Sequence, residues 1–147
     1  EDKHMGTTTF SGPIKAGDKR EGASKNTGSV LMAQSAVIDI IGATNTTAVG
    51  IIPANSQIVD VILNVTTVSN DSGTGTVKIG HAGDDDEYLA ATNAKATGTT
   101  RGTIGADGTD IGTSDQTVNA VFTGQNGDGT TGAATVTVLY IQNNNLS

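Results

Sequence analysis

The residues from Ile58 to Val65 alternate in a way that suits an extended strand and little else. Val59, Val61, Leu63 and Val65 share one face of such a strand, while Asp60 and Asn64 lie on the other. The same period of two returns near the C-terminus. From Ala134 to Ile141 it puts Val136, Val138 and Tyr140 on one side, with Thr135 and Thr137 opposite. From Thr117 to Phe122 it aligns Val118, Ala120 and Phe122. Shorter candidates run from Val30 to Ala33, Val37 to Ile41, Ala48 to Ile52 and Thr76 to Gly80, with a weaker one from Tyr88 to Ala91. No helical periodicity competes with these. Composition supplies the reason: 20 glycines and 24 threonines make up 44 of 147 residues, and both types disfavour helix interiors.

Between the runs lie turn-rich stretches at Ser69 to Gly75, Gly80 to Asp86, Thr97 to Gly112 and Gly124 to Gly132. Gly127-Asp128-Gly129, set between two strong strands, reads as the tip of a hairpin. Pro53 falls just before the strongest strand, where a missing N–H is tolerated. These signals predict an all-β fold, an antiparallel β-sandwich or barrel of about seven or eight short strands, with a jelly roll among its forms. Residues 1–5 read as the remnant of a cleaved expression tag followed by the start Met5. Residues 6–27 are polar, contain Gly12-Pro13 and Gly17, and lack alternation; they read as an extended N-terminal arm. Residues 28–147 read as a single β-domain. Two phenylalanines and two tyrosines make a thin core for this length. Threonine-rich strands of this kind gain further burial from neighbouring subunits, so an oligomer is expected.

The chemistry available to the chain is narrow. It has no cysteine and no tryptophan, which excludes disulfides, thiol catalysis and Cys-ligated metals. Its two histidines are His4, in the tag-like segment, and His81, which reads as a surface residue at a strand end. No G-x-S-x-G elbow, Walker loop or H-E-x-x-H occurs, so no catalytic residues, cofactor or metal site are assigned. Asp84-Asp85-Asp86-Glu87 has the chemistry to attract calcium but lacks EF-hand spacing; it reads as a solvated acidic turn. Gly105-Ala106-Asp107-Gly108-Thr109-Asp110-Ile111 is one imperfect copy of a calcium β-roll repeat and reads as a turn-rich loop. The sequons at Asn45, Asn64 and Asn70 carry little weight without a secretion signal. The longest apolar run is a few residues, too short for a transmembrane helix or a signal-peptide core. No membrane role is expected.

Charge divides the chain. Residues 1–26 hold five basic residues against four acidic ones, and residues 27–147 hold three against eleven, a net of −8. An acidic body argues against nucleic-acid binding, which needs clustered Lys and Arg. The basic arm suits an acidic partner surface.

Four stretches together resemble small β-rich virion structural proteins of tailed bacteriophages, especially marine ones, of the head-decoration type. They are Thr7-Thr8-Thr9-Phe10-Ser11-Gly12-Pro13-Ile14-Lys15-Ala16-Gly17, Gly28 to Ser35, Gly50-Ile51-Ile52-Pro53-Ala54-Asn55-Ser56-Gln57-Ile58, and Gly132 to Gln142. The resemblance implies a protein of the virion head exterior, assembled in the host bacterial cytoplasm. It would bind the major capsid protein, often as a homotrimer with its arm on the shell. Phe10, Pro13 and Ile14 would then be apolar anchors, with Lys15, Lys19, Arg20 and Lys25 as polar contacts. The alternatives are a receptor- or glycan-binding fibre or adhesin module, and a tail-tube or head-completion protein. A sugar platform is disfavoured because the aromatics are only Phe10, Tyr88, Phe122 and Tyr140.

Overall fold

The computed structural model describes residues 31–105 and 110–142. They form eight strands: β1 (Leu31–Asp39), β2 (Thr44–Ile52), β3 (Ser56–Thr67), β4 (Gly75–His81), β5 (Asp84–Asn93), β6 (Gly98–Arg101), β7 (Gln116–Gly124) and β8 (Ala133–Gln142). No helix occurs among the described residues.

Pairing follows one rule. The first strand pairs with the last, β2 with β7, β3 with β6 and β4 with β5, all antiparallel. Two further pairings, β3 with β8 and β4 with β7, gather them into two four-stranded sheets. Their strand orders are β1-β8-β3-β6 and β2-β7-β4-β5. A long antiparallel ribbon folded over on itself in this way is the eight-stranded jelly roll. Of the two expected forms, sandwich and barrel, the chain adopts the sandwich.

The inner faces carry the alternation read from the sequence. Val118, Ala120 and Phe122 of β7 face Val136, Val138 and Tyr140 of β8 across a core completed by Ile38, Ile52, Leu63 and Ile79, all buried. Tyr88 is also buried, and its hydroxyl donates to Gln116 Oε1 at 2.9 Å, so the one polar atom of that ring is satisfied. At the β2–β3 corner Asn55 takes a left-handed φ of 59°, which asparagine tolerates better than most residues. Its N–H donates to the Gly112 carbonyl at 2.7 Å.

Five expectations change. Val59 does not share the inner face with Val61, because a β-bulge intervenes: Ile58 pairs with Tyr140 and Asp60 with Leu139, leaving Val59 as the extra residue. The parity of the strand flips there, so Ile58 is buried and Val59 is 49% exposed. Second, Gly127-Asp128-Gly129 is not a hairpin tip. It lies in a connection that carries the chain from one sheet to the other, since β7 and β8 belong to different sheets. Among the described strands, β4 and β5 alone are consecutive and paired. Third, Asp84 to Glu87 is the opening of β5 rather than a turn, with His81 opposite Asp84. Fourth, the stretch from Thr97 to Gly112 contains the short strand β6, whose four exposed residues offer no alternation to read. Fifth, the candidates from Val37 and up to Ala33 fuse into the single strand β1.

The bulge makes a direct prediction. Leu63→Ala, inside the core, should lower unfolding free energy in urea by about 2–5 kcal/mol, whereas Val59→Ala should stay within about 0.5 kcal/mol of wild type. Equal losses would restore the unbulged register. Tyr88 gives a second. Burial, reinforced by the charge of Glu87, pushes its phenol up to about 12 from the ordinary 10.0. The folded state therefore holds the phenolic proton more tightly than the unfolded chain. Stability from this group is complete below about pH 10 and declines as pH rises from there toward 12. A spectrophotometric tyrosine titration should show one late ionisation that Tyr88→Phe removes.

Candidate functional site

The outer face of the β1-β8-β3-β6 sheet follows from register. Leu31 stands opposite Ile141, Ala33 opposite Leu139, Ser35 opposite Thr137 and Val37 opposite Thr135. With the even-numbered residues of β1 turned inward, these odd ones meet solvent. Val37 is 69% exposed, and Leu31 and the bulged Val59 are also exposed. Ser35 Oγ and Thr137 Oγ1 share a hydrogen bond of 3.0 Å on the same face. On the far side of the sheet, Arg101 of β6 pairs with Asp60 of β3. The face is thus apolar toward β1 and charged toward β6.

β1 is an edge strand of its sheet and β2 an edge strand of the other, and one side chain ties the two edges together. Gln34 Nε2 donates to the Ile51 carbonyl at 2.7 Å and to Tyr140 Oη at 3.1 Å. Gly50 makes room for it: a Cβ at that position would stand 1.9 Å from Gln34 Oε1. Ile51, whose carbonyl takes part in the clamp, is itself exposed on the β2 edge. A flank of exposed β-branched and aliphatic residues on two strand edges is a surface suited to another protein.

The β4–β5 hairpin forms a second, opposite kind of surface. Oxygens of Asp84, Asp85 and Asp86 all lie within 4.8 Å of one another, and all three residues are exposed. Lys78 answers them with ion pairs of 3.2 Å to Asp85 and 3.8 Å to Asp86, and its ammonium is raised by the hydrogen bond and charge of Asp85. The Asp84 carboxyl is lowered, first by the Asp86 backbone N–H that donates to it at 3.3 Å. His81 ends β4 as a strand-end residue, with its Nδ1 accepting from the Gly83 N–H at 3.1 Å. These are solvated charges, and salt screens them.

The expected contact residues Phe10, Pro13, Ile14, Lys15, Lys19, Arg20 and Lys25 lie outside the described residues, as do Asp107 and Gly108 of the β-roll-like stretch. Asp110 is described, and bridges to Gln57.

A third cluster joins segments whose sequence carries only turn signals. Asn70 Oδ1 accepts from the N–H groups of Thr130 and Thr131 at 2.8 and 2.9 Å. Asp128 accepts from the Ser72 N–H at 2.8 Å and hydroxyl at 2.6 Å. Those bonds hold the Asp128 carboxyl below the usual carboxylate range, the Ser72 hydroxyl contributing most. Lys95 donates to the carbonyls of Asp71 and Gly73. The signal available in sequence was the pairing of two Asn/Asp/Gly segments, Asn70-Asp71-Ser72-Gly73 and Asn126-Gly127-Asp128-Gly129, which nothing local brings together.

No protein-family model matches the chain, and no curated protein matches it. Solved structures do. A chain in the acidic stable capsid structure of Helicobacter pylori bacteriophage KHP30 aligns with a TM-score of 0.62 and 18% identity, over 77% of this chain and 88% of that one. A chain of the cyanophage Pam1 capsid asymmetric unit aligns with a TM-score of 0.60 and 15% identity over 96% of each. A third, in the capsid of Ralstonia phage GP4, gives a TM-score of 0.57 and 19% identity over 84% of this chain and 91% of that one. At such identities the likeness is one of fold, and it runs through most of each chain.

Proposed function

We propose that the chain is a non-enzymatic structural protein of a bacteriophage virion. Within the particle we assign it to the head exterior, as a decoration protein that binds the major capsid protein and stabilises the shell. The observation that carries this reading is the jelly roll together with its alignment, which covers 96% of each chain, to a component of a phage capsid asymmetric unit. The exposed flank of Leu31, Val37 and Ile51 supports it, since a protein that works by contact needs apolar area outside its own core. A glycan-binding role draws no such support. Sugar sites use exposed aromatic rings, and Tyr88, Phe122 and Tyr140 are all buried.

The mechanism follows from valency. Phe10, Pro13 and Ile14 anchor the arm on the shell, and Lys15, Lys19, Arg20 and Lys25 add charge-assisted contacts to acidic groups there. The flank joins subunits into a homotrimer, so that three arms engage neighbouring capsomers at once. Linked contacts bind far more tightly than each alone, and capsomers separate only after every arm has released.

Deleting residues 6–27 should abolish co-sedimentation with capsid shells while leaving the thermal melt of the β-domain nearly unchanged. Undiminished binding by the truncated protein sinks the arm mechanism. Light scattering behind a sizing column should give about three times 14.7 kDa for the full chain, and Val37→Asp should return it to monomer. A wild-type monomer both in solution and on shells rules out the trimer.

A further inference from the structure

Four connections meet at one end of the sandwich, and hydrogen bonds between them knit that end into a knot. Gly42 N–H donates to the Gly129 carbonyl at 3.0 Å, Ser69 N–H to Ala94 at 3.0 Å, and Asn70 N–H to Thr131 at 3.1 Å. Asp71 sits inside the knot, 1% exposed. Its Oδ1 accepts from the Gly73 N–H at 2.8 Å and the Asn126 N–H at 3.3 Å. Its Oδ2 is buried and has no hydrogen-bond partner. A carboxylate oxygen removed from water without a donor is costly, and native folds rarely leave one so.

What surrounds that oxygen makes the problem sharper. Gly124 has no side chain, and a Cβ built there would stand 2.7 Å from Asp71 Oδ2 and 2.4 Å from the Gly42 carbonyl oxygen. Two acceptors therefore converge beside the Gly124 backbone, and acceptors that face each other repel unless something positive lies between them. A second carboxylate belongs to the same knot: Asp128 is held by Ser72, the neighbour of Asp71 in the chain, and a Cβ at the following Gly129 would stand 3.2 Å from the Asp71 backbone nitrogen. Lys95 brings one ammonium, but it is spent on the backbone carbonyls of Asp71 and Gly73 rather than on either carboxylate. Two carboxylates against one cation leave the knot short of positive charge.

We propose that the knot binds a calcium ion, with Asp71 Oδ2 and the Gly42 carbonyl oxygen as ligands and the Asp128 carboxylate as the second anionic group. Calcium suits the donors better than magnesium, because it accepts irregular sets of carboxylate, carbonyl and water oxygens. A bound ion would cross-link the β1–β2, β3–β4 and β7–β8 connections, each of which supplies one of these groups, and so fasten both sheets together at that end. The exposed Asp84 to Asp86 cluster lies at the opposite end of β4 and has no such buried orphan atom.

The test uses the full chain stripped with EDTA and dialysed. Calcium chloride at about ten times a Kd of roughly 0.1–1 mM should raise the Tm by about 3–6 °C, and calorimetric titration should find one ion per chain. Asp71→Asn should abolish both effects, because its amide nitrogen can donate to the Gly42 carbonyl and removes the need for an ion. If that variant fails to fold, Asp128→Asn should weaken calcium binding at least tenfold. The double variant Asp85→Asn, Asp86→Asn should keep the full response. Absence of any calcium response in the wild type overturns the proposal, and a water or proton then satisfies Asp71. A response that survives Asp71→Asn or Asp128→Asn, or disappears with the Asp85 and Asp86 changes, overturns it as well.

Discussion

Everything in this sandwich hangs on where the last two strands go. β8 lies between β1 and β3, and β7 between β2 and β4, so each sheet is completed from its middle by the end of the chain. Their inner residues, Ala134, Val136, Val138 and Tyr140 on one side and Val118, Ala120 and Phe122 on the other, are the centre of the core. Remove that pair and each sheet falls into two unconnected parts. The constraint is entropic as well as structural. The pairing of β1 with β8 closes nearly the whole described chain, and loop closure on that scale is opposed by conformational entropy until the core rewards it. The fold is therefore cooperative by construction, since no sheet is complete until the C-terminal strands have docked.

That arrangement also fixes the division of labour between the surfaces. With β7 and β8 central, β1 and β2 become edges on one flank, and the Gln34 clamp holds those edges together across the sheets. An edge strand with exposed Leu31 and Val37 is a hazard for an isolated protein, because unpaired backbone beside apolar side chains invites association. On the proposed reading, with many copies on one particle, the same flank is a means of assembly.

The sequence disclosed the fold class because alternation is a local property and the strands obey it. Val118, Ala120 and Phe122, or Val136, Val138 and Tyr140, needed no knowledge of their partners to be assigned a common face. It failed wherever the answer depended on a partner. The bulge at Val59 arises from the fit of β3 against β8, and a run of alternating apolar residues carries no mark of it. The connection through Asp128 looks the same in sequence whether the next strand returns beside its neighbour or crosses to the other sheet. β6 is held by pairing with β3 rather than by any apolar face of its own. The Asp71 knot was least legible of all, because its members sit on separate connections and only the folded sandwich makes them neighbours. The expected basic arm, by contrast, rests on sequence alone, since Lys15 to Lys25 lie outside the described residues.

The two ends of the sandwich differ in how they treat their acidic groups. The β4–β5 hairpin keeps its acids in water, where salt screens them and they add solubility. The opposite end draws Asp71 out of water and surrounds it with backbone. On the proposed reading the arm enters the fold at β1, so tension on an anchored arm is delivered to an edge strand that β8 and the Gln34 clamp must restrain. A clamp protein needs its body to stay folded under that load. Fastening the β1–β2 connection to the rest of the sandwich at the knot opposes the peeling of β1, and it does so at the end of the strand farthest from the arm.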